Sequence, residues 1–174
     1  MKSYSSTLIV LHWVLALFVF VALFMGNDIA SLSNELDLKV DRLVVHMSAG
    51  LIMGLAFAAR LLLKRRGANR VPKEKQPSML ITLASAYHTL LYVLVFGVVI
   101  SGVVMALEVD IFTIVEQEAT MPNNLSLILS HQVHGALTQA LVVASALHIL
   151  AAFYHQFILK DGLLKRMMIS KKSK

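Results

Sequence analysis

An all-α fold, an integral membrane four-helix bundle, is the class this sequence predicts, and three observations carry that expectation. Of 174 residues, 57% are hydrophobic and only 15% charged, and the mean hydropathy is +0.73. A soluble domain is about a quarter charged and less than half apolar. Four apolar runs, at residues 8–25, 43–63, 79–107 and 133–159, each approach or exceed the roughly 18 residues needed to cross a hydrocarbon core. No internal repeat, low-complexity tract or soluble segment separates from them, so residues 1–174 read as a single transmembrane domain.

The first run follows Lys2 and resembles a signal sequence at first sight. It is longer than a signal's apolar core, lacks a small-x-small cleavage site and contains His12-Trp13, so it reads as a retained helix. The second run opens on His46 and carries Gly50 and Gly54 one and two turns later. These glycines suit either a flat ligand beside the helix or close helix packing. A connector at residues 64–77, with Pro72 and Pro77, leads into the third run. That run exceeds the length a span needs and has room to tilt. Residues 110–130 are polar enough for a loop, with a short interfacial segment around 111–115. The fourth run carries His134 and His148, flanked by His131 and His155.

Charge sets the expected orientation. Lys64, Arg65, Arg66, Arg70, Lys73 and Lys75 crowd the middle connector, and Lys160, Lys165, Arg166, Lys171, Lys172 and Lys174 crowd the C-terminus. The other two loops hold only Lys39 and Arg42 among Asp28, Glu35, Asp37, Asp41, Glu108, Asp110, Glu116 and Glu118. The positive-inside rule puts both termini and the middle connector in the cytoplasm. The net charge of +6 is then topological, the basic tail reads as a lipid-headgroup anchor, and nothing calls for nucleic acid.

Cysteine is absent, which excludes disulfides, thiolate-held iron–sulfur clusters and covalently attached haem. The seven histidines are the remaining metal-binding chemistry. His134 and His148 are fourteen residues apart, which at about 100° per residue returns to within roughly 40° of the same helix face and climbs about 21 Å. One face therefore carries an imidazole near each membrane surface. Imidazole is a common axial ligand of haem iron, and two b-type haems at those depths would form an electron path across the membrane. Matching depths in an alternating bundle pairs His46 with His134 on the outside and His12 with His148 on the inside; helix three supplies no necessary ligand. Alternatives stay open. His155 shares the face of His148 within about 20°, whereas His131 is turned roughly 100° from it. An interhelical hydrogen bond or a proton relay is the plainer account of any single intramembrane histidine. The nine methionines read as adaptable packing.

Taken in order, His12-Trp13, His46-Met-Ser-Ala-Gly50, Arg60-Leu-Leu-Leu, His88-Thr-Leu-Leu-Tyr92 and the tail His134…His148…His155…Lys160-Asp161…Arg166-Met-Met168 resemble the prokaryotic cytochrome b561 family over nearly the whole chain. The resemblance implies a four-helix cytochrome of the bacterial inner membrane with two haem b groups. It also implies His12 and His148 as ligands of an inner iron and His46 and His134 of an outer one, which leaves His155 free. One type in this family oxidises superoxide at the outer face and reduces ubiquinone. Related subunits relay electrons for hydrogenases and formate dehydrogenases, so a redox partner subunit is the alternative to an independent enzyme. A haem-free helical bundle that binds a small molecule is a third reading.

Superoxide is an anion and would be drawn by a positive entrance. Lys39, Arg42 and His131 are the residues expected to form it, although His131 stands where the family tends to have a stronger cation, and Asp37, Asp41, Glu116 and Glu118 oppose it. Quinone reduction consumes protons and needs polar groups beside an apolar groove. His155 is the first candidate there, followed by His88, Trp13 and Arg60.

Overall fold

The computed structural model describes residues 4–35, 37–66, 78–117, 119 and 121–168. Lys2, Arg70, Lys73, Lys75, Lys171, Lys172, Lys174, Pro72, Pro77 and Glu118 lie outside the described residues. Among the described residues the chain is helical without strands. Its elements are α1 (Ser6–Ser31), α2 (Asp37–Arg65), α3 (Ser78–Glu108), the short α4 (Ile111–Glu116) and α5 (Leu129–Phe153). A wider π-helical turn continues α5 over Tyr154–Leu159. Four helical stretches are long and apolar enough to cross a membrane, the last being Leu129–Leu159.

All four spans outrun the apolar runs that announced them. Helix α1 starts at the Ser5 cap, whose hydroxyl accepts from the Leu8 amide at 3.3 Å, and continues past the last apolar residues to Ser31. Helix α2 begins at Asp37, six residues before its apolar run. A hydropathy run marks only the part of a helix that lipid must solvate, whereas helical hydrogen bonding continues until the backbone is capped. Asp37 in the first turn of α2, and Lys64 and Arg65 in its last, have the signs that its dipole favours. The short segment expected around 111–115 is α4.

Outward faces are apolar: Phe24, Ile52, Leu55, Leu83 and Ile158 are largely exposed. In water this surface would be a liability, but in lipid it is the solvent-facing side. Helix α1 packs chiefly on α2 and α3 chiefly on α5, and the two hairpins join through α2 and α3. Val19, Leu94, Val95, Leu141 and Ala144 form a buried layer at mid-height, with Met53 and Phe57 of α2 against it. A second cluster, including Ile29, Leu43, Ile111, Ile114, Met121 and Leu125, closes the end opposite the termini. At the other end the chain's two extremities meet. The Tyr4 amide donates to the Arg166 carbonyl at 3.4 Å, and the Trp13 indole N–H to the Met167 carbonyl at 2.7 Å.

The glycines divide by role. A Cβ on Gly54 would lie 3.1 Å from Val99 and one on Gly97 3.3 Å from Leu137, so these two are helix-packing glycines. A Cβ on Gly50 would meet nothing within 4 Å. Of the two uses the sequence left open, Gly54 serves helix contact and Gly50 leaves space.

Candidate functional site

Histidines gather in two layers, one on each side of the mid-height cluster. At the terminal end, the His12 and His148 ring centres are 6.5 Å apart with planes 78° apart. Two imidazoles bonded to one metal ion at about 2 Å each have ring centres roughly 6 Å apart. Helix α3 adds two rings to this layer. Tyr87 stacks on His148 at 6.4 Å and its hydroxyl donates to the Ala144 carbonyl at 2.6 Å. His88 stands edge-on to His148 at 5.4 Å. Its Nδ1 is 2.7 Å from the Ala84 carbonyl, which accepts, so Nδ1 carries the proton.

At the opposite end, His46 of α2 and His134 of α5 are close enough to interact electrostatically. Each ring lies against a glycine. A Cβ on Gly26 would sit 3.4 Å from His46 Cε1, and one on Gly102 would sit 3.2 Å from His134 Cε1. Among the described residues His46 Nδ1, which is buried, has no hydrogen-bond partner, whereas His134 Nδ1 lies 3.0 Å from Ser101 Oγ.

Haem b fits this donor set. Every paired donor is an imidazole, the ring separation at the terminal end matches two nitrogens on one ion, and glycine keeps the flanks of His46 and His134 thin. Among the described residues no three His, Cys, Asp or Glu side chains converge as a candidate metal site.

Lys39 is 8% exposed, and its ammonium donates to the Leu32 carbonyl at 2.8 Å and to Asn34 Oδ1 at 2.6 Å. Leu32 is the C-cap of α1, so Lys39 satisfies a helix end where free carbonyls gather negative charge. Asn34 in turn donates to the Pro122 carbonyl at 2.9 Å, joining the α1–α2 turn to the segment after α4. Arg42 pairs with Asp28, not with the sequence-near Asp37 or Asp41, because α1 extends far enough to set Asp28 beside α2. His131 is exposed in the first turn of α5. Arg60 donates to the Tyr92 hydroxyl and lies 6.0 Å from that ring's centre, as does the Lys64 ammonium. Trp13 lies edge-on to His12 at 5.4 Å while its N–H is engaged by Met167.

His155 is 2.5 Å from Asp161, through Nδ1 and Oδ2, and the other carboxylate oxygen accepts from the Leu163 amide at 3.0 Å. The reversal that brings Asp161 back uses Lys160 at φ 52° and Gly162 at φ 72°, both left-handed. Burial works against the charge on Asp161, but the hydrogen bonds from His155 and Leu163 outweigh it and hold the carboxyl below its ordinary value.

Sequence reasoning assigned no part to Ser101, Tyr87 or Asp161. A signal for the first two existed. Ser101 and Tyr87 are fourteen residues apart on α3, the same spacing as His134 and His148, their neighbours on antiparallel α5.

Residues 3–169 match the family model described as prokaryotic cytochrome b561. The chain is 26% identical to "Cytochrome b561 homolog 1" of Escherichia coli (strain K12), over 99% of this chain and 100% of that protein. It is also 26% identical to "Cytochrome b561 homolog 2" of the same organism, covering 90% of this chain and 86% of that one. The same identity holds with the "Probable superoxide oxidase CybB" of Yersinia pestis, over 98% of each. With two histidine layers in a helical bundle and a family match across nearly all of its length, this chain belongs to the prokaryotic cytochrome b561 family.

Proposed function

We propose that this protein carries electrons across the bacterial inner membrane through two b-type haems, from superoxide or another outer donor to ubiquinone. The observation that supports this most is the pair of histidine layers at opposite ends of the bundle with an apolar layer between them. In this reading His46 and His134 hold the outer iron, His12 and His148 hold the inner one, and both termini lie in the cytoplasm. When bound, each haem supplies a one-electron iron couple at its depth.

The residues do the rest. Val19, Leu94, Val95, Leu141 and Ala144 exclude water between the layers, so electrons pass and protons do not follow. Arg42 and His131 remain near the outer mouth, with Arg42 already neutralised in part by Asp28. His155 holds a proton at the cytoplasmic end, oriented by Asp161, where the quinone ring would bind; His88, Trp13 and Arg60, on α3, α1 and α2, are the further quinone candidates. Two superoxide anions give up one electron each, leaving two molecules of oxygen. One quinone takes both electrons and two protons to become quinol.

The test begins with a reduced-minus-oxidised spectrum of purified protein, expected to show bis-imidazole haem b. Superoxide is then added with a ubiquinone analogue and quinol is followed. Quinol formation faster than in a protein-free control supports the reading, and an equal rate argues against it. A second reading, a haem-b subunit docked to a larger redox enzyme, draws support from the engagement of Lys39 and Arg42, which leaves little free positive charge to attract a small anion. That reading expects haem without quinol formation.

A further inference from the structure

Helix α3 contributes no histidine to the ligand set, yet it makes the closest polar contact to one of the proposed ligands. Ser101 is 7% exposed. Its hydroxyl donates to the Val98 carbonyl at 3.0 Å, and the same oxygen lies 3.0 Å from His134 Nδ1. A serine hydroxyl has one hydrogen and two lone pairs. With the hydrogen directed to Val98, Oγ faces the imidazole as an acceptor, and Nδ1 is the donor. That contact puts the proton on Nδ1 and leaves the Nε2 lone pair free.

The ring is also held sterically. Gly102, the next residue on α3, is so close that a Cβ there would stand 3.2 Å from His134 Cε1. The hydroxyl fixes rotation of the imidazole about its side-chain bonds while the glycine fixes its distance from α3. His46, the other imidazole of this layer, lies against Gly26 but lacks a polar hold, its buried Nδ1 having no hydrogen-bond partner among the described residues.

We propose that Ser101 is the positioning residue of His134: it accepts the Nδ1 hydrogen, selects the tautomer that exposes Nε2 and sets the plane in which the imidazole meets the outer haem. This rests on the haem reading above. An acceptor on the far nitrogen makes a ligating imidazole more electron-rich and typically changes metal affinity by about 10- to 100-fold. More electron density on the ligand favours ferric over ferrous iron, so Ser101 holds the outer haem's potential down.

Two variants of the full-length protein isolate the hydroxyl. Ser101→Thr keeps it, and Ser101→Val has nearly the shape of threonine without it. Potentiometric titration followed by absorbance, with low-temperature EPR of the oxidised protein, reads each haem separately, so the inner haem is an internal control. In Ser101→Val the outer midpoint potential is expected to rise, giving a several-fold larger reduced fraction at fixed ambient potential, and one low-spin EPR signal to move. Loss of that haem in Ser101→Val alone would support the same role. Ser101→Thr is expected to behave as wild type. The proposal is overturned if Ser101→Val leaves both readouts unchanged. It is also overturned if both variants shift, or lose haem, alike, because volume would then be the cause. A wild-type protein without haem would remove the haem reading and this one together, whereas the other negative results remove only the role of Ser101.

Discussion

Two pairs of residues separate chemistry from support. His134 and His148 stand out in the sequence because an imidazole in lipid demands a reason. Ser101 and Tyr87 do not, because serine and tyrosine in a span are ordinary until their neighbours are known. Substituting alanine for His12, His46, His134 or His148 is expected to remove about one haem each, halving the reduced-minus-oxidised absorbance. Retention of both haems in any of the four would break the proposed pairs. Asp161 offers a pH-dependent check. Its carboxyl lies below the ordinary 3.8 in the folded protein, so the native state binds protons less readily than the unfolded chain. The resulting stabilisation is present above that ordinary value and is lost as pH falls through the lower, folded one. Asp161→Asn is therefore expected to lower the thermal midpoint at pH 7, and the gap from wild type to close below about pH 4. A gap that stays constant with pH would show that the charge contributes nothing.

Among the elements, α1 and α2 show how a side chain holds a helix end. Lys39 reaches the C-cap of α1 and Asn34, and Asn34 reaches Pro122, so one ammonium helps to join the turns at that end of the bundle. Lys39→Met strands two acceptors and is expected to cost about 1–3 kcal/mol, read as a lower thermal midpoint with the haem spectrum intact. Loss of outer haem without loss of stability would instead assign Lys39 to the site. The paired glycines of α2 give a second contrast. Gly54→Ala pushes against Val99 and is expected to weaken the α2–α3 contact. Gly50→Ala meets no protein atom within 4 Å. It should not lower the stability of the haem-free protein, so a fall in haem content in this variant would measure the space the cofactor occupies.

At the scale of the molecule, two helical hairpins enclose an apolar middle, with a histidine layer above and below it. That arrangement suits the proposed passage of electrons between the two layers, and the direction proposed for it depends on which end faces the cytoplasm. The basic connector and tail predict that a C-terminal epitope is cleaved by protease in inverted membrane vesicles and protected in right-side-out ones. The opposite pattern would put the His155–Asp161 end outside and reverse the proposed direction of transfer.

Composition and apolar run length were enough to determine a membrane bundle, because lipid imposes a length and a polarity on every span. Histidine spacing and depth were enough to suggest the pairs, because helix geometry turns residue number into angle and height. Helix ends, by contrast, are not marked by hydropathy: α1 starts at the Ser5 cap and α2 at Asp37, both ahead of their apolar runs. The contacts of Lys39 and Arg42 could not be read from the chain, since both turn on where α1 stops. Nor could the hold of Ser101 on His134 be read outright. Its fourteen-residue echo on α3 was visible, but only the antiparallel register of α3 against α5 makes that spacing a contact, and register is set by packing across the whole bundle.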